Sequence, residues 1–231
     1  MGRGLLSEPQ TYVQGKWSRQ LPGIQACPSQ NRAAGEYEKW FQPPPEPNSA
    51  RNALILSLPP VNVTLDPDTA HPQLVLSEDQ KSVRRGDTWQ QLPNNPERFD
   101  TDPCVLGCEG FTSGRHCWEV EVGGGGGWAL GVARESVRRK GEIRRSPEVG
   151  IWAMEWWLGQ FQALTSPVTP LPLSRVPSRI WVCLDCERGQ VTFIDPGDEA
   201  PIFTFPPGSV SGGRIRPWLQ VWYRSRLRLC P

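Results

Sequence analysis

CWEVEVGGGGGWALGV, residues 117–132, sets two alternating runs on either side of five glycines. Trp118, Val120 and Val122 share one face and Glu119 and Glu121 the other; Trp128, Leu130 and Val132 repeat the pattern. That period of two is the mark of half-buried strands. With only glycine between them, the two strands predict a β-hairpin. Downstream, RIWVCLDC (179–186) and QVTFI (190–194) flank Glu187-Arg188-Gly189 and predict a second hairpin. Trp-rich strands are expected around Gly150 to Glu155 and Pro217 to Tyr223. Short apolar runs separated by turn residues continue from Val61 onward, which is the texture of an all-β domain. Antiparallel strands of this kind bury their apolar faces as a sandwich of two sheets, with Trp118 and Trp128 in the core.

Outside that region the texture differs. The chain has 231 residues with 25 Pro and 23 Gly, and nine of the prolines fall in residues 1–60, including Pro43-Pro44-Pro45. Residues 1–60 are read as a poorly ordered Pro-rich extension, with a brief helix over Ala50 to Leu58, and 61–231 as the folded domain. Twenty-five Lys and Arg balance 24 Asp and Glu to a net charge of +1, which excludes a globally basic nucleic-acid binder. No apolar run reaches the roughly 18 residues of a membrane span, and no signal-peptide core precedes Pro9. Gly2 lacks the Ser or Thr a myristoylation signal wants, because position 6 is Leu6. The Asn62-Val63-Thr64 sequon is a chance match in a chain without an export signal. Seven cysteines, an odd number, point to reduced thiols and to the cytoplasm or nucleus.

Several chemical motifs dissolve on inspection. Gly124-x-Gly126-x-x-Ala129 fits a loose dinucleotide pattern, yet the chain continues into a strand where a phosphate loop needs a helix. Cys104-x3-Cys108 with Cys183-x2-Cys186 could hold zinc, but an offset of three in a strand puts side chains on opposite faces. Packing cysteines are the better reading. His71 and His116 are the only histidines, and neither lies in a nucleophile–base signature. Asp185, Glu187, Asp195 and Asp198 are assigned to turns and edges. The one local charge feature is RESVRRKGEIRR, residues 134–145, with Arg138, Arg139, Lys140, Arg144 and Arg145. It reads either as a solvated loop or as a site for an anion, since Arg forks suit carboxylate and phosphate. Trp152, Trp156 and Trp157 follow in one strand, where alternating faces leave at least one for a ligand.

VTLDPDTAHPQLVLSEDQKSVR (63–84), RFDTDPCVLGCEGFTSGRHCWEVEVG (98–123), WALGVARESVRRKG (128–141) and LDCERGQVTF (184–193) together resemble the PRY-SPRY domain of tripartite-motif and butyrophilin proteins. The ordered signatures Leu-Asp-Pro, Trp-Glu-Val-Glu and Leu-Asp-x-Glu-x-Gly carry the likeness, and tripartite-motif members look nearer than butyrophilins. PRY would cover about 61–114 and SPRY about 115–231. The resemblance implies an all-β, bent sandwich of two antiparallel sheets, a concanavalin-like jelly roll with short N-terminal helical turns. It implies no catalytic site, no cofactor and no metal. What it implies instead is a monomeric module whose variable loops bind a target protein or peptide, as in substrate recognition for ubiquitination and in innate immunity. The alternative, from butyrophilin relatives, is a sensor of a phosphorylated small molecule using the basic loop. Residues 1–60 hold one cysteine and no histidine, so they build no RING zinc site.

Carried over position by position, the family's groove would be lined by Asp102, Cys104, Gly127, Trp152, Glu155, Gln220 and Trp222. Asp102 and Glu155 make it acidic and suited to a basic or neutral segment. Arg138, Arg139, Lys140, Arg144 and Arg145 form a separate basic rim. Nucleic acid and membrane are not among the expected partners.

Overall fold

The computed structural model of the protein describes residues 59–173 and 175–230. Apart from Pro59 and Pro60, the Pro-rich extension and its brief helix lie outside the described residues. Thirteen strands follow in order: β1 (Leu74–Leu76), β2 (Ser82–Arg85), β3 (Cys104–Leu106), β4 (Arg115–Gly124), β5 (Trp128–Arg134), β6 (Ile151–Trp157), β7 (Gln160–Ala163), β8 (Thr169–Leu171), β9 (Arg179–Asp185), β10 (Gln190–Asp195), β11 (Ala200–Phe205), β12 (Ile215–Val221) and β13 (Ser225–Leu229). Among the described residues the helical content is one 3-10 turn, Pro147–Val149. The strands form a seven-stranded sheet, β1-β2-β13-β4-β9-β10-β11, and a six-stranded sheet, β3-β12-β5-β6-β7-β8, with antiparallel pairing throughout. The all-β sandwich is therefore as expected.

The hairpin expected across the glycine run is not there. β4 lies in the seven-stranded sheet between β13 and β9, and β5 in the six-stranded sheet between β12 and β6. Both strands present apolar faces to one core, Trp118, Val120 and Val122 against Trp128, Leu130 and Val132. The neighbours decide it: β13 and β9 flank β4, and β12 and β6 flank β5, so the two apolar faces stack across the core. The glycines are consequently the crossover between sheets. The second expected hairpin is present, with β9 paired to β10 from Asp185↔Gln190 to Trp181↔Ile194.

A second cluster covers the outer face of the six-stranded sheet. Ala129, Ala133, Ile151, Ala153 and Trp218 pack under Phe99, Val137 and Ile143, which come from the PRY segment and the loop after β5. Small residues on this face let that loop sit close. Gly131 has no room for more, since a Cβ there would lie 2.2 Å from the Trp152 carbonyl. Burial on both faces explains why β12 has no exposed residue. The Leu-Asp-Pro signature closes the same region: Asp66 pairs with the buried Arg216 at 2.7 Å, and Arg216 Nε donates to the Gly107 carbonyl at 2.7 Å.

The thiols depart from expectation at one pair. Cys117 and Cys183 sit opposite each other on β4 and β9, with Cα atoms 4.2 Å apart, and are joined as a disulfide. Cys104, Cys108, Cys186 and Cys230 are free. Among the described residues no cluster of His, Cys, Asp or Glu could hold a metal ion.

Candidate functional site

Strand register decides which of the expected groove residues reach solvent. Cys104, Gln220, Ala129, Glu155 and Gln162 are consecutive partners across β3, β12, β5, β6 and β7, so they form one transverse row of the six-stranded sheet. That row is covered. Cys104, Gln220 and Glu155 are 1 %, 1 % and 3 % exposed, and Trp152 faces the inter-sheet core. Burial raises the Cys104 thiol well above its usual range. The Glu155 carboxylate is engaged by Arg145 and by the Gln162 amide. Asp102 is also occupied, accepting the Ile143 N–H at 2.8 Å. Both carboxylates of the expected acidic groove therefore already have partners within the protein.

Two residues further along the same strands lies the row that is open. Gln220 is succeeded by Trp222, Ala129 is preceded by Gly127, and Glu155 is succeeded by Trp157. Trp222 donates its N–H to the Gly127 carbonyl at 3.2 Å, continuing the β12–β5 ladder. The Trp157 and Trp222 rings lie 5.1 Å apart, and the Trp157 ring packs onto Gly127, where a Cβ would come within 2.4 Å of it. Gly127, with φ at 131°, is thus required twice over, by its backbone and by its neighbour. A groove of about 510 Å³ opens here, lined by Arg85, Gly125, Gly126, Trp157, Trp222, Tyr223 and Arg224. The Ser225 hydroxyl accepts the N–H groups of Gly126 and Gly127, at 3.2 and 2.8 Å, and stitches the glycine crossover to the β12–β13 turn.

Cations stand around the aromatics. The Arg145 guanidinium lies 5.1 Å from the Trp222 ring centre while pairing with Glu155, so it links the covered row to the open one. Arg224 stacks over Tyr223 at 5.2 Å. At the rim, the β6–β7 turn holds Leu158 at φ 50° and Gly159 at φ 84°. Both central residues are left-handed, a conformation that Asn or Gly adopts cheaply and Leu does not. Leu158 is nevertheless 82 % exposed.

The basic loop is a cover more than a rim. Arg139 is buried against Phe99, its guanidinium 5.0 Å from the ring, and donates to the Glu135 carbonyl. Burial lowers its pKa. Lys140 donates to Asn94 Oδ1 and to the carbonyls of Asn95 and Arg98 at 3.2, 2.8 and 2.8 Å, pinning the loop to the PRY segment. Only Arg138 and Arg144 of the five basic residues are exposed. Sequence reading named Trp157 and Trp222 but missed Arg85, Leu158, Tyr223 and Arg224. The Leu158-Gly159 turn was the available signal, as a large apolar residue standing where turn chemistry favours Asn.

Comparison with known proteins places this architecture. A family model for the SPRY-associated domain PRY matches residues 63–111 and one for the SPRY domain matches 115–225. The chain carries a PRY-SPRY domain of the TRIM/butyrophilin family. It is 51 % identical to butyrophilin subfamily 1 member A1 of Bos taurus over 173 residues, covering 74 % of this chain and 33 % of the relative. With the E3 ubiquitin-protein ligase TRIM58 of Homo sapiens it shares 45 % identity over 173 residues, covering 74 % of this chain and 35 % of the relative. The expectation that tripartite-motif members are nearer is therefore corrected. The chain spans about a third of the length of these curated relatives. The TRIM65 PSpry domain superposes with a TM-score of 0.66 at 24 % identity, over 82 % of this chain and 98 % of that one. Stonustoxin gives 0.64 at 22 %, over 73 % of this chain and 28 % of that one. Both structures share the fold. PRY-SPRY domains are non-catalytic interaction modules, and this one is related to those of TRIM and butyrophilin proteins. Among the described residues no helix is long and apolar enough to cross a membrane.

Proposed function

We propose that the PRY-SPRY domain selects a target protein by taking an exposed segment of it into the groove between Trp157, Trp222 and Tyr223. The observation that carries this reading is the contact between an exposed Trp157 and a half-buried Trp222 in a protein whose Trp118, Trp128, Trp152 and Trp218 are all fully buried. Paired aromatics flanked by arginine are the composition of interface hot spots. Leu158 supports it, since a strained and fully presented leucine at the rim gains only from a partner's pocket. Arg85 and Arg224 favour a segment with an apolar anchor and acidic flanks, in place of the basic or neutral segment expected from the sequence. Selection of a substrate for ubiquitination is the setting that similarity to the E3 ubiquitin-protein ligase TRIM58 supports; a role in innate immunity rests on the family resemblance alone.

The phosphorylated small molecule has less in its favour, because Arg139, Lys140 and Arg145 of the basic loop already have protein partners. The test is quantitative affinity capture followed by calorimetry with the purified captured protein. Trp157→Ala weakens binding by about 2 kcal/mol or more, roughly thirtyfold, while an Arg138→Ala, Arg144→Ala double variant leaves it unchanged. The converse pattern would return the site to the basic loop.

A further inference from the structure

The outer face of the seven-stranded sheet has two halves that treat charge in opposite ways. Over β4, β9 and the turn after it, acids are met by bases: Arg115 pairs with Asp185 at 2.8 Å, Arg179 with Glu119 at 3.1 Å, and Glu119 also accepts the Trp181 indole N–H at 2.6 Å. Over β2 and β13, arginine faces arginine. Arg226 is the direct register partner of Arg84 on β2, while its other neighbour, on β4, is Gly123, which has no side chain to offer. Both arginines are exposed, and among the described residues neither forms an ion pair. Among the described residues, the one polar contact of their side chains is Arg226 Nη2 to the Ser82 hydroxyl at 3.3 Å.

Like charges directly opposite on a sheet destabilise it, so this pair lowers stability in the isolated domain. The row continues along β13. Arg228 follows at the next outward position, whereas Arg224 stands before the strand, in the β12–β13 turn at φ 64° and stacked over Tyr223 at the mouth of the aromatic groove. Glu121 is the register neighbour of Arg228 without reaching ion-pair distance, and nearby Asp79 is held by Ser77 and by the Lys81 N–H. Alternate residues of an extended strand are about 6.8 Å apart. Beside the row, a recess of about 240 Å³ lies between Arg84 and Arg226, floored by Val75, Ser77 and Ser82.

We infer that the outward face of β2 and β13 is a second docking surface, for an extended acidic segment of a partner protein with a carboxylate at every other residue. The repeat of such a segment matches the spacing of Arg226 and Arg228, with Arg84 beside the first, so successive carboxylates meet successive guanidinium forks. Built on these three arginines, the surface needs neither the aromatic groove nor the basic loop.

Fluorescence anisotropy with a labelled synthetic peptide of alternating Glu and Ser tests it, beside a block peptide of the same composition with all Glu contiguous and beside phosphatidylserine vesicles. The alternating peptide binds more tightly than the block peptide, and affinity falls steeply with salt. An Arg84→Gln, Arg226→Gln variant loses about tenfold in affinity, whereas Trp157→Ala and Arg115→Gln change nothing. The same double variant melts slightly higher than wild type at low salt, which shows that it folds and that the arginine pair was repelling itself. Equal binding of the two peptides, vesicle binding without peptide binding, or an Arg84→Gln, Arg226→Gln variant that binds as wild type would each overturn the inference. A loss with Trp157→Ala alone would transfer the acidic segment to the aromatic groove.

Discussion

The outer faces of the two sheets are built from similar numbers of strands and end in opposite conditions. On the six-stranded sheet, small residues and Trp218 lie under a loop whose alternate residues, Val137, Arg139 and Ile143, point down into the sheet. On the seven-stranded sheet, Arg84, Arg226 and Arg228 are exposed, with no described residue packed over them. In the sequence the impression is reversed. The concentrated run RESVRRKGEIRR looks like the charged surface, and the dispersed Arg84, Arg224, Arg226 and Arg228 attract no notice. Sequence concentration measures neighbours along the chain, whereas a binding face is assembled by register across strands.

That contrast can be broken at several points. Trp218→Ala on the covered face should act as a core truncation and lower stability by about 3–5 kcal/mol in urea unfolding. If the loss were below about 1 kcal/mol, the loop would not be packed on that face. Lys140→Ala removes a charged donor from three acceptors and is expected to lower stability by about 1.5–3 kcal/mol, against less than about 0.5 kcal/mol for the matched Arg228→Ala on the bare face. Similar values for the two would erase the distinction between a pinning cation and a solvated one.

The smallest effect tests how the cover is fastened to the PRY segment. His71 is buried, its Nδ1 accepts the Gln73 N–H at 3.1 Å and its Nε2 donates to the Asp100 carbonyl at 3.2 Å, and Asp100 in turn accepts the Gly141 N–H at 2.8 Å. Burial lowers the His71 pKa in the folded state. Above the ordinary value of about 6.5 neither state binds the proton, and His71 contributes no pH dependence. As pH falls below that, the unfolded chain takes up the proton first and stability declines, by at most about 1.4 kcal/mol per pH unit, until the folded-state pKa is passed. Urea midpoints measured on either side of pH 6.5 should fall toward acid in the wild type, and His71→Gln should remove that part of the slope.

Period-two alternation and Trp-rich runs were enough to read β4, β5, β6, β9, β10 and β12 and the β9–β10 hairpin, because these depend on local pattern and a short turn, whereas β1, β2, β3, β7, β8, β11 and β13 were not placed. They could not tell pairing from stacking for β4 and β5. Each presents an apolar face, and either arrangement buries Trp118 and Trp128; only the positions of β13 and β12, far away in the chain, decide. The groove was legible to within one register step. Glu155 and Gln220 mark the right strands but the covered row, and Trp157 and Trp222 stand two residues on, because exposure depends on where the overlying loop stops. The disulfide partner of Cys183 was illegible for a similar reason, since Cys117 lies 66 residues earlier in the chain.

β13 is not an edge strand; it is the seam of its sheet, with β2 on one side and β4 on the other. The Arg226–Ser82 contact across that seam joins residues 144 positions apart. Of the described strands β1 and β2 emerge first, and among them they pair only with each other until β13 has left the ribosome. An isolated two-stranded ribbon is marginal in water, so the opening strands of the PRY segment must wait as such a ribbon, apolar on one face, for almost the whole domain to be made. That delay is when the nascent chain is most exposed to wrong partners, and holdase chaperones should bind it there.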